Sequence, residues 1–389
     1  MADVKNEILG ILEARREETV ELLRTLIRTP SPSGEEAEIA QVIANTLRGL
    51  GFSDVAVDSL SNVVCRVRGS EGKPTLLYNG HIDVVPAGDL SRWSINPSDA
   101  PIVNGKVIGR GACDMKGSIA AMIIAADSVR RTGISLRGDL ILTMVSREEG
   151  GLQEGTKHTI EEDGLRPDLA LIGEATNLNL CLGSRGRIVV EVKVKGRLAH
   201  AANASRGLNA VVKMQKLIDA VGRMDLPTHE ILGPTTQTIT NITCTPGQIN
   251  MVPDLCTITI DRRISPGDSL EKAKAEFQAV IEALKAEDPK FSAEVETGKL
   301  AVPGYKPPDA EVLARLLGAA ARVLGKRPLT TRYIFGTDGS YLSGAAGIPW
   351  FGFGPGDEAN AHTVNDHVEV DDLTAASKVY AMFILELLT

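Results

Sequence analysis

Apolar runs without the alternation of a half-exposed strand recur in the first half of the chain, separated by segments with helical periodicity. The clearest of these runs lie at residues 139–145 and 168–172. Strands buried on both faces carry this pattern, and they occur in sheets that helices cover on both sides. A helix rich in small residues is expected before the first of these runs, at 118–132. This part of the sequence therefore predicts an α/β fold.

The pattern changes after Gly183, where strict alternation replaces the apolar runs. In residues 187–195 apolar and charged residues alternate, which is typical of a strand with one buried face. The elements that follow have the order β-α-β-β-α-β, which is the order of the ferredoxin-like α+β unit. The α/β pattern then resumes. We therefore expect a domain at 185–298 that is inserted into a first domain made of 1–184 and 299–389.

Composition narrows the class of protein. The 389 residues carry a formal net charge of −8 at pH 7, which disfavours a nucleic-acid-binding protein with a basic surface. No apolar run approaches the ~20 residues that a membrane-spanning helix needs. The chain begins without a basic segment followed by an apolar stretch, so we expect a cytoplasmic protein that does not associate with membranes. The five cysteines contain no CxxC pair, and they indicate neither a disulfide framework nor a zinc finger.

His81 and Asp83 directly follow the apolar run at residues 76–80, at the end of a predicted strand. Their i, i+2 spacing points both side chains to the same side. Open α/β sheets bind their ligands outside the carboxyl ends of their strands. We therefore interpret His81 as a metal ligand through Nε2 and Asp83 as the carboxylate that fixes its tautomer. A hydrogen-bonded turn is the alternative interpretation of this pair.

Five more side chains with suitable chemistry occupy comparable loop positions. They are Asp114 before the helix at 118–132, the adjacent pair Glu148 and Glu149 after the strand at 139–145, Glu174 after the strand at 168–172, and His362 near the end of the chain. Adjacent carboxylates repel one another, and a bound cation removes that cost. Imidazole and carboxylate ligands without thiolates suit Zn²⁺, Mn²⁺ or Co²⁺. Each residue alone is consistent with a solvated loop, but the set predicts a metal site.

Five stretches of this chain resemble motifs of the M20 family of metallopeptidases and amidohydrolases, the group of acetylornithine deacetylase, succinyl-diaminopimelate desuccinylase, aminoacylase-1 and glutamate carboxypeptidase. In chain order they are Gly80-His-Ile-Asp-Val-Val-Pro86, Gly109-Arg-Gly-Ala-Cys-Asp-Met-Lys-Gly117, Glu148-Glu-Gly-Gly151, Gly173-Glu-Ala-Thr176 and Ala361-His-Thr-Val-Asn365. The resemblance covers essentially the whole chain. It implies a zinc-peptidase-like α/β catalytic domain with an inserted ferredoxin-like lid that also serves dimerisation.

The resemblance also implies roles for individual residues. Two divalent metal ions would hold a water between them, and Asp114 would bridge the two ions. Zinc is the metal expected first, and cobalt and manganese are the alternatives. By motif, the remaining ligands are His81 and Glu174 for one ion and Glu149 and His362 for the other. Glu148 would be the general base in this arrangement, and Asp83 would support His81.

In the inserted domain, residues 199–210 resemble the family segment whose histidine stabilises the oxyanion, and His200 takes that place. The serine and proline that usually follow this histidine are absent here. Asn250 and Arg263 match positions that meet the substrate carboxylate, and strand alternation puts Arg263 on the polar face of its strand. In relatives that dimerise, the lids pair and this histidine reaches the partner's site. We therefore expect a homodimer through residues 185–298.

The resemblance predicts an enzyme that hydrolyses linear amide bonds in an N-acyl amino acid or a short peptide. Gly336-Thr337-Asp338 is similar to the corresponding motif of acetylornithine deacetylase, which favours a deacetylase. Ser340 stands where the desuccinylase motif has arginine, which disfavours succinyl-diaminopimelate. A dipeptidase or carboxypeptidase is the alternative with the same chemistry. A non-catalytic binding protein on a hydrolase scaffold is the second alternative, and the presence of Glu148 with all five ligands argues against it.

Overall fold

The computed structural model describes residues 2–389, which divide into two compact units. The large unit contains the residues up to Ser184, Gly304–Tyr333 and Thr337–Thr389. The small unit contains Arg185–Pro303 and Ile334–Gly336. The sequence pattern predicted that the chain re-enters the first domain at residue 299. In the structure, the last strand of the small unit continues to Ala301.

An eight-stranded mixed sheet forms the centre of the large unit. With strands numbered along the whole chain, those of this unit are β1 (Asp54–Val57), β2 (Val63–Val67), β3 (Leu76–His81), β4 (Ile102–Val103), β5 (Lys106–Ile108), β6 (Leu140–Val145), β7 (Leu169–Ile172), β8 (Leu180–Ser184), β17 (Thr330–Tyr333), β18 (Trp350–Gly352) and β19 (His367–Glu369). The large sheet has the order β1-β2-β6-β3-β7-β18-β8-β17. The other three strands form a small antiparallel sheet in the order β19-β5-β4.

Three neighbouring strands in the middle of the large sheet, β6, β3 and β7, run parallel to one another. Every residue of β3 and β6 is buried, which agrees with the absence of alternation in their sequences. Val145 of β6 lies opposite His81 of β3, so the two strands end at the same level. Because parallel neighbours share one carboxyl edge, the loops that follow these strands meet there.

Helices pack around this sheet and provide most of the remaining core of the large unit. They are α1 (Ala2–Ala14), α2 (Arg16–Arg28), α3 (Ala37–Leu50), α4 (Gly117–Arg131), α5 (Glu154–Glu161), α8 (Ala310–Leu324), α9 (Gly339–Gly344) and α10 (Val370–Leu388). The small-residue helix predicted at 118–132 corresponds to α4, whose residues from Gly117 to Val129 are all buried. Its alanines allow close contact with the largely buried α10.

The small unit has its own apolar core, separate from that of the large unit. Its strands and helices are β9 (Gly186–Lys195), β10 (Ala199–His200), α6 (Ala210–Val221), β11 (Thr228–His229), β12 (Gly233–Pro234), β13 (Thr236–Thr245), β14 (Met251–Val252), β15 (Leu255–Ile264), α7 (Leu270–Glu287) and β16 (Ser292–Ala301). The four long strands form an antiparallel sheet in the order β13-β15-β9-β16. The predicted α/β fold with a ferredoxin-like α+β insertion is therefore confirmed.

The two faces of β15 differ as the alternation of its sequence predicts. Ile258 and Ile260 are fully buried in the core under α6 and α7. Arg262 lies on the same face and is also buried, and its guanidinium pairs with Glu276 of α7 at 2.5 Å. Arg263 lies on the opposite, partly exposed face.

Candidate metal centre

The candidate site lies in the large unit, at the carboxyl edge of its sheet. Three parallel strands end here with His81 in β3, Glu148 and Glu149 after β6, and Glu174 after β7. Two further residues complete the group from other loops. Asp114 lies in the turn directly before α4, and His362 lies in the loop between β18 and β19. The order of the strands, together with these two loops, therefore collects residues that are far apart in the chain.

Asp114 lies between the two histidines. Its Oδ1 is 2.9 Å from Nε2 of His81, and its Oδ2 is 3.1 Å from Nε2 of His362. One carboxylate therefore presents an oxygen to each of two imidazole nitrogens, which suits a ligand shared by two cations.

Each of these imidazoles also meets a second carboxylate. Oε1 of Glu174 is 3.3 Å from Nε2 of His81, and Oε2 of Glu149 is 2.9 Å from Nε2 of His362. The other oxygen of Glu149, Oε1, is buried and has no hydrogen-bond partner. A buried carboxylate oxygen without a donor is costly, and a cation would satisfy it.

The carboxylates raise the proton affinity of both histidines. Burial lowers the pKa of His81, but Glu174 and Asp114 outweigh this effect and hold that pKa well above its usual value. Hydrogen bonds to Asp114 and Glu149 raise the pKa of His362 to about 10. The site therefore stabilises positive charge at both Nε2 positions, where divalent cations can replace the protons.

Two of the carboxyl groups are shifted towards their neutral form. Burial raises the pKa of Glu148 well above its usual value, and the nearby carboxyl of Asp338 adds to the shift. Burial and the neighbouring Asp114 raise the pKa of Glu174 to about 7. Among the described residues, the ion pairs of this carboxylate cluster involve only the two histidines. Divalent cations would supply the positive charge that keeps these carboxyl groups ionised.

The donor atoms fit a pair of divalent cations. Within the described residues, two groups of three at this site have ligand atoms within 4.8 Å of one another: His81, Asp114 and Glu149, and His81, Glu148 and Glu174. Imidazole nitrogens and carboxylate oxygens without thiolates are the ligands that zinc, manganese and cobalt accept. Glu148 belongs to the second group, so its proximity is compatible with a ligand as well as with a base.

Asp83 has a different contact from the one that its spacing indicated. Nδ1 of His81 donates to the backbone carbonyl of Asp83 at 2.9 Å, and the Asp83 carboxylate is 3.6 Å from that nitrogen. The carboxylate instead accepts the backbone N–H groups of Glu148 and Glu149, both at 3.1 Å. The carbonyl therefore fixes the tautomer and leaves Nε2 of His81 available to a cation, while the carboxylate orients the two glutamates.

Asp366 is a supporting residue that the sequence analysis missed. Its buried carboxylate accepts the backbone N–H groups of Gly111 and Cys113 at 2.7 and 2.9 Å. These bonds join the loop of His362 to the turn that carries Asp114. The available signal was the position of this aspartate four residues after His362, directly after the motif that contains that histidine.

Two residues at the site have left-handed backbone conformations although neither is glycine. Arg147, directly before Glu148, has a φ of 57°, and His362 has a φ of 59°. Such conformations cost about 1–3 kcal/mol each, and they concentrate at functional sites where surrounding contacts hold them.

The three remaining candidates lie in the small unit. His200 is exposed at the end of the short strand β10, and its Nδ1 accepts the backbone N–H of Ala202 at 3.0 Å. Asn250 is exposed in the loop before β14. Arg263 is half-buried on β15, where its Nε donates to Oδ1 of Asp261 at 2.7 Å. All three have polar atoms on the surface of this unit, unlike the buried Arg262.

Within residues 2–389, every helix is too short or too polar to cross a lipid bilayer.

The model of peptidase family M20/M25/M40 matches residues 77–386 of this chain. N-formyl-4-amino-5-aminomethyl-2-methylpyrimidine deformylase of Bacillus subtilis is 30% identical, in an alignment that covers 96% of this chain and 95% of that protein. Succinyl-diaminopimelate desuccinylase of Alkalilimnicola ehrlichii is 29% identical, with 93% and 97% covered.

Solved structures of low sequence identity share the fold over nearly the full length. Aminopeptidase PepT from Bacillus cereus superposes with a TM-score of 0.79 at 22% identity, covering 96% of this chain and 98% of that chain. The YXEP protein of Bacillus subtilis, described as a dinuclear metal binding peptidase, gives a TM-score of 0.75 at 17% identity, covering 96% and 99%.

Proposed function

The chain belongs to peptidase family M20/M25/M40, and on this premise we propose that it is a deacylase of N-acyl amino acids, similar to acetylornithine deacetylase. As a member of this family it is a metal-dependent hydrolase of linear amide bonds. The observation that carries the proposal is the position of Asp114, with one oxygen facing each of two histidines and a second carboxylate beside each imidazole.

Two divalent cations would occupy the two sides of Asp114. His81 and Glu174 would complete one set of protein ligands, and Glu149 and His362 the other. Zinc is the cation that we propose first, with cobalt or manganese as substitutes, because all three accept this donor set. When bound, such a pair would acidify the attacking water and polarise the scissile carbonyl.

Glu148 would act as the general base. Its side chain is buried beside the proposed ligands, and its backbone N–H is held by the carboxylate of Asp83. A carboxylate in this position can take the proton of the attacking water and return it to the leaving nitrogen.

Residues of the small unit would bind the rest of the substrate. We propose that His200 donates a hydrogen bond to the oxyanion in the site of a partner subunit, within a homodimer formed through residues 185–298. Arg263 and Asn250 would bind the substrate carboxylate, for which a guanidinium and an amide are suitable donors. This guanidinium lies on the polar face of the sheet, where it is paired with Asp261.

The proposal also specifies which kind of acyl group the enzyme removes. The two relatives described above are named as a deformylase and a desuccinylase, which supports removal of a small acyl group. Ser340 is 1% exposed, with its hydroxyl 3.5 Å from that of Ser184. The arginine of the desuccinylase motif would not fit this buried position without rearrangement, which disfavours a succinyl group. The structural neighbours described above are named as an aminopeptidase and a peptidase, and a dipeptidase or carboxypeptidase, which hydrolyses the same kind of bond, is the second candidate.

A substrate panel tests the proposal. Protein reconstituted with Zn²⁺, Co²⁺ or Mn²⁺ is assayed with N-acetyl, N-formyl and N-succinyl amino acids and with dipeptides. We expect the N-acetyl compounds to have the highest kcat/KM. Faster cleavage of dipeptides would replace the proposal by the peptidase alternative. Binding of these compounds without turnover would identify a non-catalytic protein.

Carboxamide analogues of the best substrate test the proposed carboxylate contact. Arg263→Met should raise KM for the free carboxylate more than for its carboxamide, because the guanidinium would attract only the charged group. An equal change for both compounds would contradict a direct contact.

A further inference from the structure

Two cysteines of the small unit occupy directly opposite positions on neighbouring antiparallel strands. Cys244 of β13 is paired with Cys256 of β15. Opposite residues in such a pair have Cα atoms ~4.5–5.5 Å apart and side chains on the same face. A disulfide needs a Cα separation of ~4.4–6.8 Å, so this pair meets the backbone requirement.

The two thiols differ in accessibility. Cys244 is exposed, whereas Cys256 is fully buried in the core of the small unit. Burial, with a contribution from Cys244, raises the pKa of the Cys256 thiol. The other three cysteines, Cys65, Cys113 and Cys181, are buried in the large unit. An oxidant in solution therefore reaches Cys244 first.

We propose that Cys244 and Cys256 form an oxidation site, in which Cys244 reacts with a peroxide and Cys256 resolves the product to a cross-strand disulfide. In the first step the Cys244 thiolate attacks a peroxide oxygen, the O–O bond breaks, and a sulfenic acid forms. In the second step Sγ of Cys256 attacks Sγ of Cys244, the S–O bond breaks, and water leaves. With hydrogen peroxide, two thiols are oxidised to one disulfide and the peroxide is reduced to two molecules of water.

The position of β13 favours this reaction. It is the edge strand of its sheet, bonded on one side only to β15. An edge strand can adjust more readily than a central one, because a small shift breaks fewer ladder hydrogen bonds. The sulfur atoms can therefore approach one another without displacement of the rest of the sheet.

The disulfide would close the loop that joins β13 and β15. This loop contains Asn250 and β14, whose residue Met251 is bridged to His200 of β10. A cross-link at the base of a loop restricts the conformations of the residues between its ends. Oxidation would therefore stiffen the segment that carries Asn250. This inference concerns thiol chemistry, and it holds whether or not the proposed deacylase activity is correct.

The test uses full-length reduced protein and hydrogen peroxide. After oxidation, the intact mass of the protein should be lower by the mass of two hydrogen atoms. Labelling of thiols in the unfolded protein should detect three free cysteines. Cleavage with cyanogen bromide after Met251 separates the two cysteines, so their fragments remain joined only through the disulfide. The joined product should disappear on reduction.

Two serine variants serve as matched controls. In Cys256→Ser, a sulfenic acid should accumulate on Cys244 and be trapped by dimedone. In Cys244→Ser, the same treatment with hydrogen peroxide should leave the protein unchanged, because the remaining thiols are buried. A disulfide between two copies of the chain, or a stable sulfenic acid in the unaltered protein, would overturn the proposal.

Discussion

At the scale of single residues, Glu148 and Glu149 are adjacent in sequence but have different surroundings. Oε2 of Glu149 contacts His362, and its Oε1 is buried without a partner. Glu148 makes no ion pair with either histidine in the described part of the chain, although it lies close to His81 and Glu174. This difference is consistent with one ligand and one base.

Glu148→Ala should therefore greatly lower turnover without loss of metal. A general base contributes ~10²–10⁴-fold to turnover, so kcat should fall by about that factor. The matched variant Glu149→Ala should lose metal as well as activity, because it removes a proposed ligand. Metal content is measured by elemental analysis after gel filtration. Loss of metal from Glu148→Ala with retention by Glu149→Ala would reverse the two roles.

At the scale of elements, the ends of two neighbouring strands approach one another closely. Gly354 follows β18, which is parallel to β7, and a Cβ at this position would lie 2.4 Å from the backbone carbonyl of Glu174. Backbone atoms cannot yield as a side chain does. The absence of a side chain at Gly354 therefore allows the backbone of Glu174, a proposed ligand, to pack directly against this segment.

Gly354→Ala should displace Glu174 and weaken metal binding. Overpacking of this kind destabilises by about 1–3 kcal/mol. Gly318→Ala in the middle of α8 is the control, since an added Cβ there meets nothing within 4 Å. Alanine is the better helix former by about 0.5–1 kcal/mol, so this variant should be slightly more stable. Urea unfolding and metal titration measure both effects, and equal metal affinity in the two variants would contradict the proposed constraint.

At the scale of the whole molecule, the two units have separate apolar cores, and all the proposed metal ligands belong to the large unit. A ligand that binds only the folded state stabilises it by about 2.7 kcal/mol at a free concentration of 100 Kd. The energetic effect of the cations should therefore be confined to one unit.

Removal of metal by a chelator should lower the unfolding temperature of the large unit and leave that of the small unit nearly unchanged. Differential scanning calorimetry of the full chain, with and without added Zn²⁺, follows both transitions. Activity should be lost in parallel and return with the metal. Retention of full activity and of both transitions after complete metal removal would contradict the proposed centre.

The proposed homodimer predicts complementation between two inactive variants. His200→Ala should lower turnover by ~10²–10³-fold, as removal of an oxyanion donor does. When it is mixed with Glu148→Ala, a mixed dimer would contain one site with an intact Glu148 and the partner's intact histidine. Activity should then partly return. If subunit exchange is demonstrated and activity does not return, His200 acts in its own chain or has no role in catalysis.

Much of the fold could be predicted from the periodicity of apolar residues alone. A strand buried on one face has an alternating sequence, whereas a strand buried on both faces has an unbroken apolar run. The unbroken apolar runs predicted β6 and β7, and the alternation in 187–195 predicted the half-buried β9. The position of polar residues after such strands also predicted a common site, since parallel strands share a carboxyl edge.

Contacts between residues distant in sequence were decided only by the tertiary structure. The spacing of His81 and Asp83 led us to expect that the carboxylate of Asp83 meets the imidazole, whereas in the structure its backbone carbonyl does. The carboxylate lies closer to the Glu148–Glu149 turn, because β6 is paired beside β3 and brings two unpaired N–H groups to it. Asp366 escaped prediction for the same reason, since its partners Gly111 and Cys113 are more than 250 residues away in the chain. The sequence by itself thus determined which residue types follow the buried strands, whereas the order of the strands and the packing of the loops determined which atom of each group faces which neighbour.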